Sequence, residues 1–381
     1  MKPRKLRLLP VAMTLAALPI ACNAQPNTAP PDIRLPDGFS IEVFADNVPN
    51  ARSLALGSEG TVFVSTRSDG RVFAIRSDET GAREVIALAE DLRTPNGIDY
   101  HNGDLYVAET ERLLRFPAIE SNLQESAPFE VVDESFPGER HHGWRYIKIG
   151  PDEQLYMSIG APCNVCDREG FGEIQRMNLD GTDKETFAFG VRNSVGLTFH
   201  PSTGELWFTD NGRDMLGDDT PPGELNIAGT SGLHFGFPFC HGGDVSDPEF
   251  GEQRSCAEFE APAQQLGPHV APLGLAIYDG QMFPDDYRGS VFIAEHGSWN
   301  RSKRIGYRIS RVTIANGRAN GYEVFAEGWL QDEEVSGRPV DVLELEDGSL
   351  LVSDDHAGRL YRISYTLPLL EATARGTRLG R

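Results

Sequence analysis

Six stretches of the chain repeat one short theme: a tight turn with Gly or a polar residue, then an apolar run that closes, in all but the third, on a polar residue. They are Gly60-Thr-Val-Phe-Val-Ser-Thr66, Gly103-Asp-Leu-Tyr-Val-Ala-Glu109, Glu153-Gln-Leu-Tyr-Met-Ser-Ile159, Gly204-Glu-Leu-Trp-Phe-Thr-Asp210, Gly289-Ser-Val-Phe-Ile-Ala-Glu295 and Gly348-Ser-Leu-Leu-Val-Ser-Asp354. A fixed theme recurring at roughly 40–50 residues is the mark of a β-propeller. Six repeats predict an all-β, six-bladed propeller around a central channel. The polar ends of the repeated strands then gather at one mouth of that channel, which is where chemistry is expected.

The repeats run from about residue 50 to residue 365 of a 381-residue chain, so one closed domain is expected over 37–366. The 40 glycines and 25 prolines suit turn-rich β structure, and few stretches carry the 3.6-residue period of a long helix. Residues 1–24 read as an export signal: Lys2, Arg4, Lys5 and Arg7 precede an apolar stretch, Leu8 to Ile20, that is too short to span a bilayer. Leu18-Pro-Ile-Ala-Cys22 resembles a bacterial lipoprotein cleavage box with Cys22 as the lipid-bearing residue; cleavage after Ala24 is the alternative. The mature protein is thus expected to be periplasmic or a membrane-anchored lipoprotein, with the membrane touched only through Cys22. Residues 25–36 read as a flexible tether and 367–381 as a tail.

The net charge of −22 becomes −26 once the four basic leader residues are removed. Such a surface repels nucleic acid and anionic membranes and leaves a small-molecule partner. Four cysteines remain after Cys22. In an exported chain they predict two disulfides, Cys163–Cys166 and Cys240–Cys256, each closing a local loop; a zinc site built from all four is the alternative. Asp167 follows the Cys-x-x-Cys where haem attachment would need His.

Blade-like units fall near 40–90, 91–135, 140–190, 191–265, 268–330 and 335–365. The last is short, so residues near 37–47 are expected to complete it and close the ring. Gly150-Pro-Asp152 and His200-Pro-Ser202 read as hairpin turns. Gly204 and Gly289 stand 85 residues apart, and the excess, Arg213 to Pro268, is expected to shape the channel mouth.

Several segments carry residues suited to chemistry. Arg140-His-His-Gly-Trp-Arg-Tyr146 sets two histidines ahead of an inner strand, where His142 suits general-base work; a surface histidine pair is the plainer reading. Arg192 and Asn193 hold the same place in the next blade. An arginine among apolar strand residues needs an anion or a structural ion pair. Thr209-Asp-Asn-Gly-Arg-Asp214, with Gly217-Asp-Asp219 behind it, offers carbonyls and carboxylates suited to a hard cation such as calcium. Arg301, Lys303 and Arg304 form a basic run in an acidic protein, and Arg338 begins the final blade. His142, Arg192, Asn211, Arg301 and Arg338 occupy corresponding blade positions, so a propeller would bring them to one mouth. Several arginines around one pocket point to a ligand with several carboxylates or phosphates.

With these motifs in place, the chain resembles the soluble quinoprotein glucose/sorbosone dehydrogenases, six-bladed propellers that use pyrroloquinoline quinone (PQQ) and Ca2+. The resemblance spans about residues 35–365. It rests on His142 ahead of the Gly150-Pro-Asp turn, Gly190-Val-Arg-Asn-Ser-Val-Gly-Leu197, Asn211-Gly-Arg213, Pro268-His-Val-Ala-Pro272 and His296-Gly-Ser-Trp-Asn-Arg301, the last typical of the sorbosone-type branch. It implies His142 as the base that takes a sugar hydroxyl proton and Arg192 beside the reactive quinone carbonyl. It implies cofactor contacts at Asn193, Asn211, His269, Arg301 and Arg338, and calcium on the carbonyls of Gly212 and Arg213. Three departures fall near the substrate and one flank of the cofactor: His141 where glucose-oxidising members carry Asp, Pro95 where they carry a sugar-contacting Gln, and Gly267 in place of an aromatic; the family's cofactor lysine has no clear counterpart, a role open to Arg301 or Lys303. The expected activity is oxidation of a sugar, polyol or aldehyde, with electrons leaving to an external acceptor. A calcium-dependent propeller lactonase and a non-enzymatic binding propeller are the alternatives.

Overall fold

In a computed structural model, which describes residues 32–77 and 83–367, six antiparallel sheets follow one another around a ring. The expected leader, Cys22, most of the 25–36 tether and the tail beyond 367 lie outside the described residues. Blade 1 runs Ala51–Leu56, Val62–Thr66, Val72–Ser77 and Arg83–Ala89; blade 2 runs Gly97–His101, Asp104–Ala108, Leu113–Phe116 and Glu130–Asp133. Blade 3 comprises Ile147–Ile149, Gln154–Ile159, Glu173–Asn178 and Glu185–Phe189, and blade 4 comprises Leu197–Phe199, Leu206–Asp210, Pro222–Ala228 and Gln264–Pro268. Blade 5 is Pro272–Ile277, Val291–Glu295, Arg308–Ala315 and Arg318–Glu327. Blade 6 is Pro339–Glu344, Leu350–Asp354 and Arg359–Tyr365, with Phe39–Ala45 as its outermost strand. The ring therefore closes with both ends of the domain in one sheet, as the short last repeat requires. In each blade the first strand is innermost, and these six strands touch their neighbours around the channel.

The repeated theme is the second strand of each blade. It reads as an unbroken apolar run because both of its faces are buried. In blade 1, Val62 and Val64 pack toward blade 6 while Phe63 packs toward blade 2. Six hydrophobic clusters result, one between each pair of neighbouring blades, and these interfaces are the core.

Two regions differ from the sequence expectation. Ordered pairing begins ahead of Asp37: Arg34 exchanges backbone hydrogen bonds with Glu327 at 2.7 and 3.1 Å, and Ile33 and Leu35 pack on the core between blades 5 and 6. The long segment 213–268 is not one loop, since Pro222–Ala228 and Gln264–Pro268 are the outer strands of blade 4. Only 229–263 is inserted. It turns outward, where Leu233–His234 pairs in parallel with Glu185–Phe189 as a fifth strand of blade 3. Both disulfides form as expected, Cys163–Cys166 and Cys240–Cys256, the second within the insert.

Candidate functional site

The polar residues that end the repeated strands do gather at one mouth, but they turn into the sheets. Asp210 accepts the backbone N–H groups of Arg192 (2.8 Å) and Asn193 (2.6 Å). Asp354 accepts those of Arg338, His356 and Ala357 at 2.8 to 2.9 Å. These buried carboxylates thus hold the start of the inner strand in place. The residues they hold, and those just past the repeated strands, face a cavity of about 340 Å³.

His142, Arg192, Asn193, Asn211, Gly212, His269 and Arg338 all line this cavity. His142 is 6% exposed and sits at φ +49°, in the left-handed region that non-glycine residues seldom occupy. Its Nδ1 lies 2.8 Å from Ala161 O. A carbonyl can only accept, so Nδ1 carries the proton and Nε2 keeps a lone pair, with no hydrogen-bond partner among the described residues. Burial first, and then the positive Arg192 and neighbouring His141, hold the imidazole pKa well below its ordinary 6.5. His142 is therefore a neutral base near pH 7. Gly160 packs directly beneath it: a Cβ there would stand 2.6 Å from the Cβ of His142 and 2.8 Å from its carbonyl oxygen.

Arg192 is 3% exposed along its side chain and fully engaged. It donates to Asn164 O and Oδ1 (both 2.9 Å), to Asn211 O (3.1 Å) and Gly212 O (2.8 Å), and it pairs with Asp214 at 2.9 Å. Asn211 donates to Asn193 O (2.9 Å) and Pro272 O (3.1 Å), which stitches blades 4 and 5 together at the cavity floor. Beneath them, Asp210 stands opposite the buried Glu224 in the sheet. Burial and the facing carboxylate raise Asp210 to about 8, so the pair retains a proton at neutral pH.

On the other side, Arg338 donates to His296 O (3.2 Å) and lies over the Tyr307 ring; no carboxylate oxygen pairs with its guanidinium among the described residues. The buried His296 shares Asp355 with Arg52, at 2.9 and 3.0 Å. Burial lowers His296 to about 4 and Arg52 to about 10.

Three expected positions differ in detail. Arg301 is absent from the cavity wall. Its guanidinium pairs with Asp219 at 2.9 Å, while its neighbour Asn300 lines the cavity and donates to Asp214 (3.0 Å). The chain bends here, so Trp299 and Asn300 face the cavity while Arg301 turns to Asp219. The Arg213 side chain turns to Asp247 and Glu249 of the insert. His269 lines the cavity, but its Nε2 is spent on Gly217 O (2.8 Å) and Thr220 O (3.0 Å). The stretch 211–223 contributes wall residues, whereas the insert 229–263 contributes none.

Sequence reasoning missed Arg52, Arg67 and Trp144, which also line the cavity, while Asp214, read there as a candidate cation carboxylate, pairs with Arg192. The signal was available. Arg52 opens the inner strand of blade 1 as Arg338 opens that of blade 6, and Arg67 follows its repeated strand as Asn211 follows its own.

A family model described as TrAA12-like matches residues 33–366. An uncharacterized protein of Borreliella burgdorferi is 32% identical over 377 residues, covering 94% of this chain and 97% of that one. Iodide and calcium structures of a Trichoderma reesei protein of carbohydrate-active enzyme family AA12 superpose with TM-scores of 0.77 and 0.76 at 19% identity, covering 88% of this chain and 98% of that one. The holo form of the pyranose dehydrogenase PQQ domain from Coprinopsis cinerea gives 0.75 at 18% identity with the same coverage.

Proposed function

This chain belongs to the TrAA12-like family, and we propose that it is an exported quinoprotein oxidoreductase that oxidises a CH–OH group of a sugar, polyol or hydrated aldehyde. The observation that carries the reading is the fixed tautomer of His142: Nδ1 is locked on Ala161 O, and Nε2 is open toward a cavity ringed by guanidinium groups.

The wall residues fit PQQ, a planar tricarboxylate. Arg338 has a guanidinium with no direct carboxylate pair among the described residues, Arg192 is a second cation, and Asn193 and Asn211 supply amides. Calcium would take the carbonyls of Gly212 and Arg213. Arg192 occupies one lone pair of Gly212 O and leaves the other for a hard cation. The PQQ domain and the calcium structure among the fold neighbours support both assignments. When bound, PQQ supplies the two-electron acceptor for the substrate's C–H hydride, and calcium polarises the accepting carbonyl.

The chain's own part is proton transfer and positioning. His142 Nε2 takes the hydroxyl proton as the C–H bond breaks, and Ala161 O steadies the imidazolium through Nδ1–H. Arg192, held by five acceptors, keeps its charge fixed as negative charge builds nearby, so no side chain must reorganise. The run His296-Gly-Ser-Trp-Asn-Arg301 favours the sorbosone-type branch. Export follows from the basic and apolar leader, and mass spectrometry of the mature N-terminus tests lipidation of Cys22.

The deciding experiment is a difference spectrum of the purified protein titrated with PQQ and CaCl2, followed by dye reduction across neutral and acidic sugars, polyols and aldehydes. Saturable quinone absorbance and substrate-dependent dye reduction, lost in His142→Gln while absorbance persists, support the reading. Binding with no turnover would leave a ligand-binding propeller, and lactone hydrolysis without PQQ would replace the dehydrogenase with a lactonase.

A further inference from the structure

A second cavity of about 290 Å³ adjoins the first, and the two share Arg67 and Trp144 as a common wall. Arg93 and Arg140 complete a basic lining drawn from blades 1 and 2 and the segment that enters blade 3. Arg93 is neutralised by Glu111. The other two are not. Among the described residues, the guanidinium of Arg67 meets the face of Trp144, 5.1 Å from the ring centroid, with no ion-pair partner, and Arg140 has no side-chain partner.

Two guanidinium groups on one wall with no ion-pair partner among the described residues stand out in a protein whose formal charge is −22. Both suit the same ligand, an anion with several acceptor oxygens. The wall is also tied to the base, because the Trp144 ring sits edge-on to His142 with centroids 5.8 Å apart. A ligand bridging the two cavities would place one end at His142 Nε2 and the other between Arg67 and Arg140.

We propose that this side cavity is a substrate subsite for an anionic group, so that the preferred substrate is a sugar acid or sugar phosphate whose oxidisable carbon lies at His142. The identity of the oxidised end rests on the function proposed above; the anion subsite does not.

The test separates the two. Isothermal titration of the full chain without PQQ, at constant ionic strength, compares glucuronate, glucose 6-phosphate and glucose. Either anion should bind at least tenfold tighter than glucose, glucuronate leading for a carboxylate subsite and the phosphate for a phosphate one. In Arg140→Gln, an exposed change that the fold tolerates, and in Arg67→Gln, that preference should fall at least fivefold. Binding of both anions within twofold of glucose, no measurable binding of either, or a preference that survives both substitutions overturns the subsite. Dye reduction by the PQQ- and calcium-loaded protein is then read separately. Anion binding without turnover leaves the subsite and removes the dehydrogenase, whereas turnover of neutral and acidic sugars at equal kcat/KM does the reverse.

Discussion

Asp210→Asn probes the buried carboxylate pair under the site. Asp210 holds the backbone amides of Arg192 and Asn193, and Glu224 across the strand holds Gly242 N (2.6 Å) and Asn226 Nδ2 (2.9 Å). Burial and the neighbouring Glu224 raise Asp210 from 3.8 to about 8 against the pull of the two amides and Arg192. A folded-state pKa above the unfolded one means that the native protein holds a proton the unfolded chain has released. The stabilisation is complete below pH 3.8 and is lost as pH rises toward 8. Each pH unit in that window costs about 1.4 kcal/mol for one retained proton, so about 4 kcal/mol disappears between pH 5 and 8. Asparagine removes the titration. It keeps one acceptor for one of the two amides, and the orphaned N–H costs about 1–3 kcal/mol at every pH. The other titrating groups cancel in the difference between the two proteins, and Glu224, whose upward shift comes from its own burial, stays raised in both. Urea unfolding followed by tryptophan fluorescence at pH 5, 6, 7 and 8 should therefore show the variant gaining on the parent by about 1.4 kcal/mol per unit. Parallel pH curves would mean that the pair carries no shared proton, and the account of the floor of the site would fall.

Two further outcomes follow from packing. Gly160→Ala drives a methyl group against the Cβ and carbonyl of His142, neither of which can rotate away. Turnover of the loaded enzyme should fall roughly 10–100-fold while PQQ absorbance on titration stays near that of the parent, and parental turnover would show that the base tolerates displacement. Replacing Cys240 and Cys256 by Ser opens a loop with a sequence separation of 16, which should cost about 3 kcal/mol in urea unfolding. A change under about 0.5 kcal/mol would mean that the outward-turned insert does not unfold with the propeller.

The architecture was legible because the second strand of each blade is buried on both faces and so writes an unbroken apolar run into the sequence. Ring closure was legible for a similar reason: a three-strand last blade leaves an edge, and Phe39–Ala45 carries the pattern to fill it. The insert was visible as excess length but not as a location. Nothing local in Leu233–His234 encodes a parallel partner at Ala188 and Phe189, since that pairing depends on where blade 3 ends in space.

Most wall residues were named from the sequence, whereas the strand-end residues expected to gather at the mouth turn into the sheets, and the physics of a strand explains why. The repeats end on Thr66, Glu109, Ile159, Asp210, Glu295 and Asp354, and the polar ones drew the eye as cavity residues. Side chains alternate along extended chain, and those residues turn sideways to accept backbone and arginine N–H groups within the sheets. The next position in each blade faces the mouth or supports it. Arg67, Asn211 and His296 line the main cavity, Thr110 lines the side cavity, Gly160 makes room for His142, and Asp355 bridges Arg52 and His296. Arg301 has a different reason: it lies in a bend that turns Trp299 and Asn300 to the cavity and Arg301 to Asp219. In this propeller, wall residues recur just after the repeated strand, as at Arg67, Asn211 and His296, and in the segment held by the buried carboxylate ahead of the inner strand, as at Arg192, Asn193 and Arg338, so the order repeat, anchor, wall ties part of the cavity to the sequence.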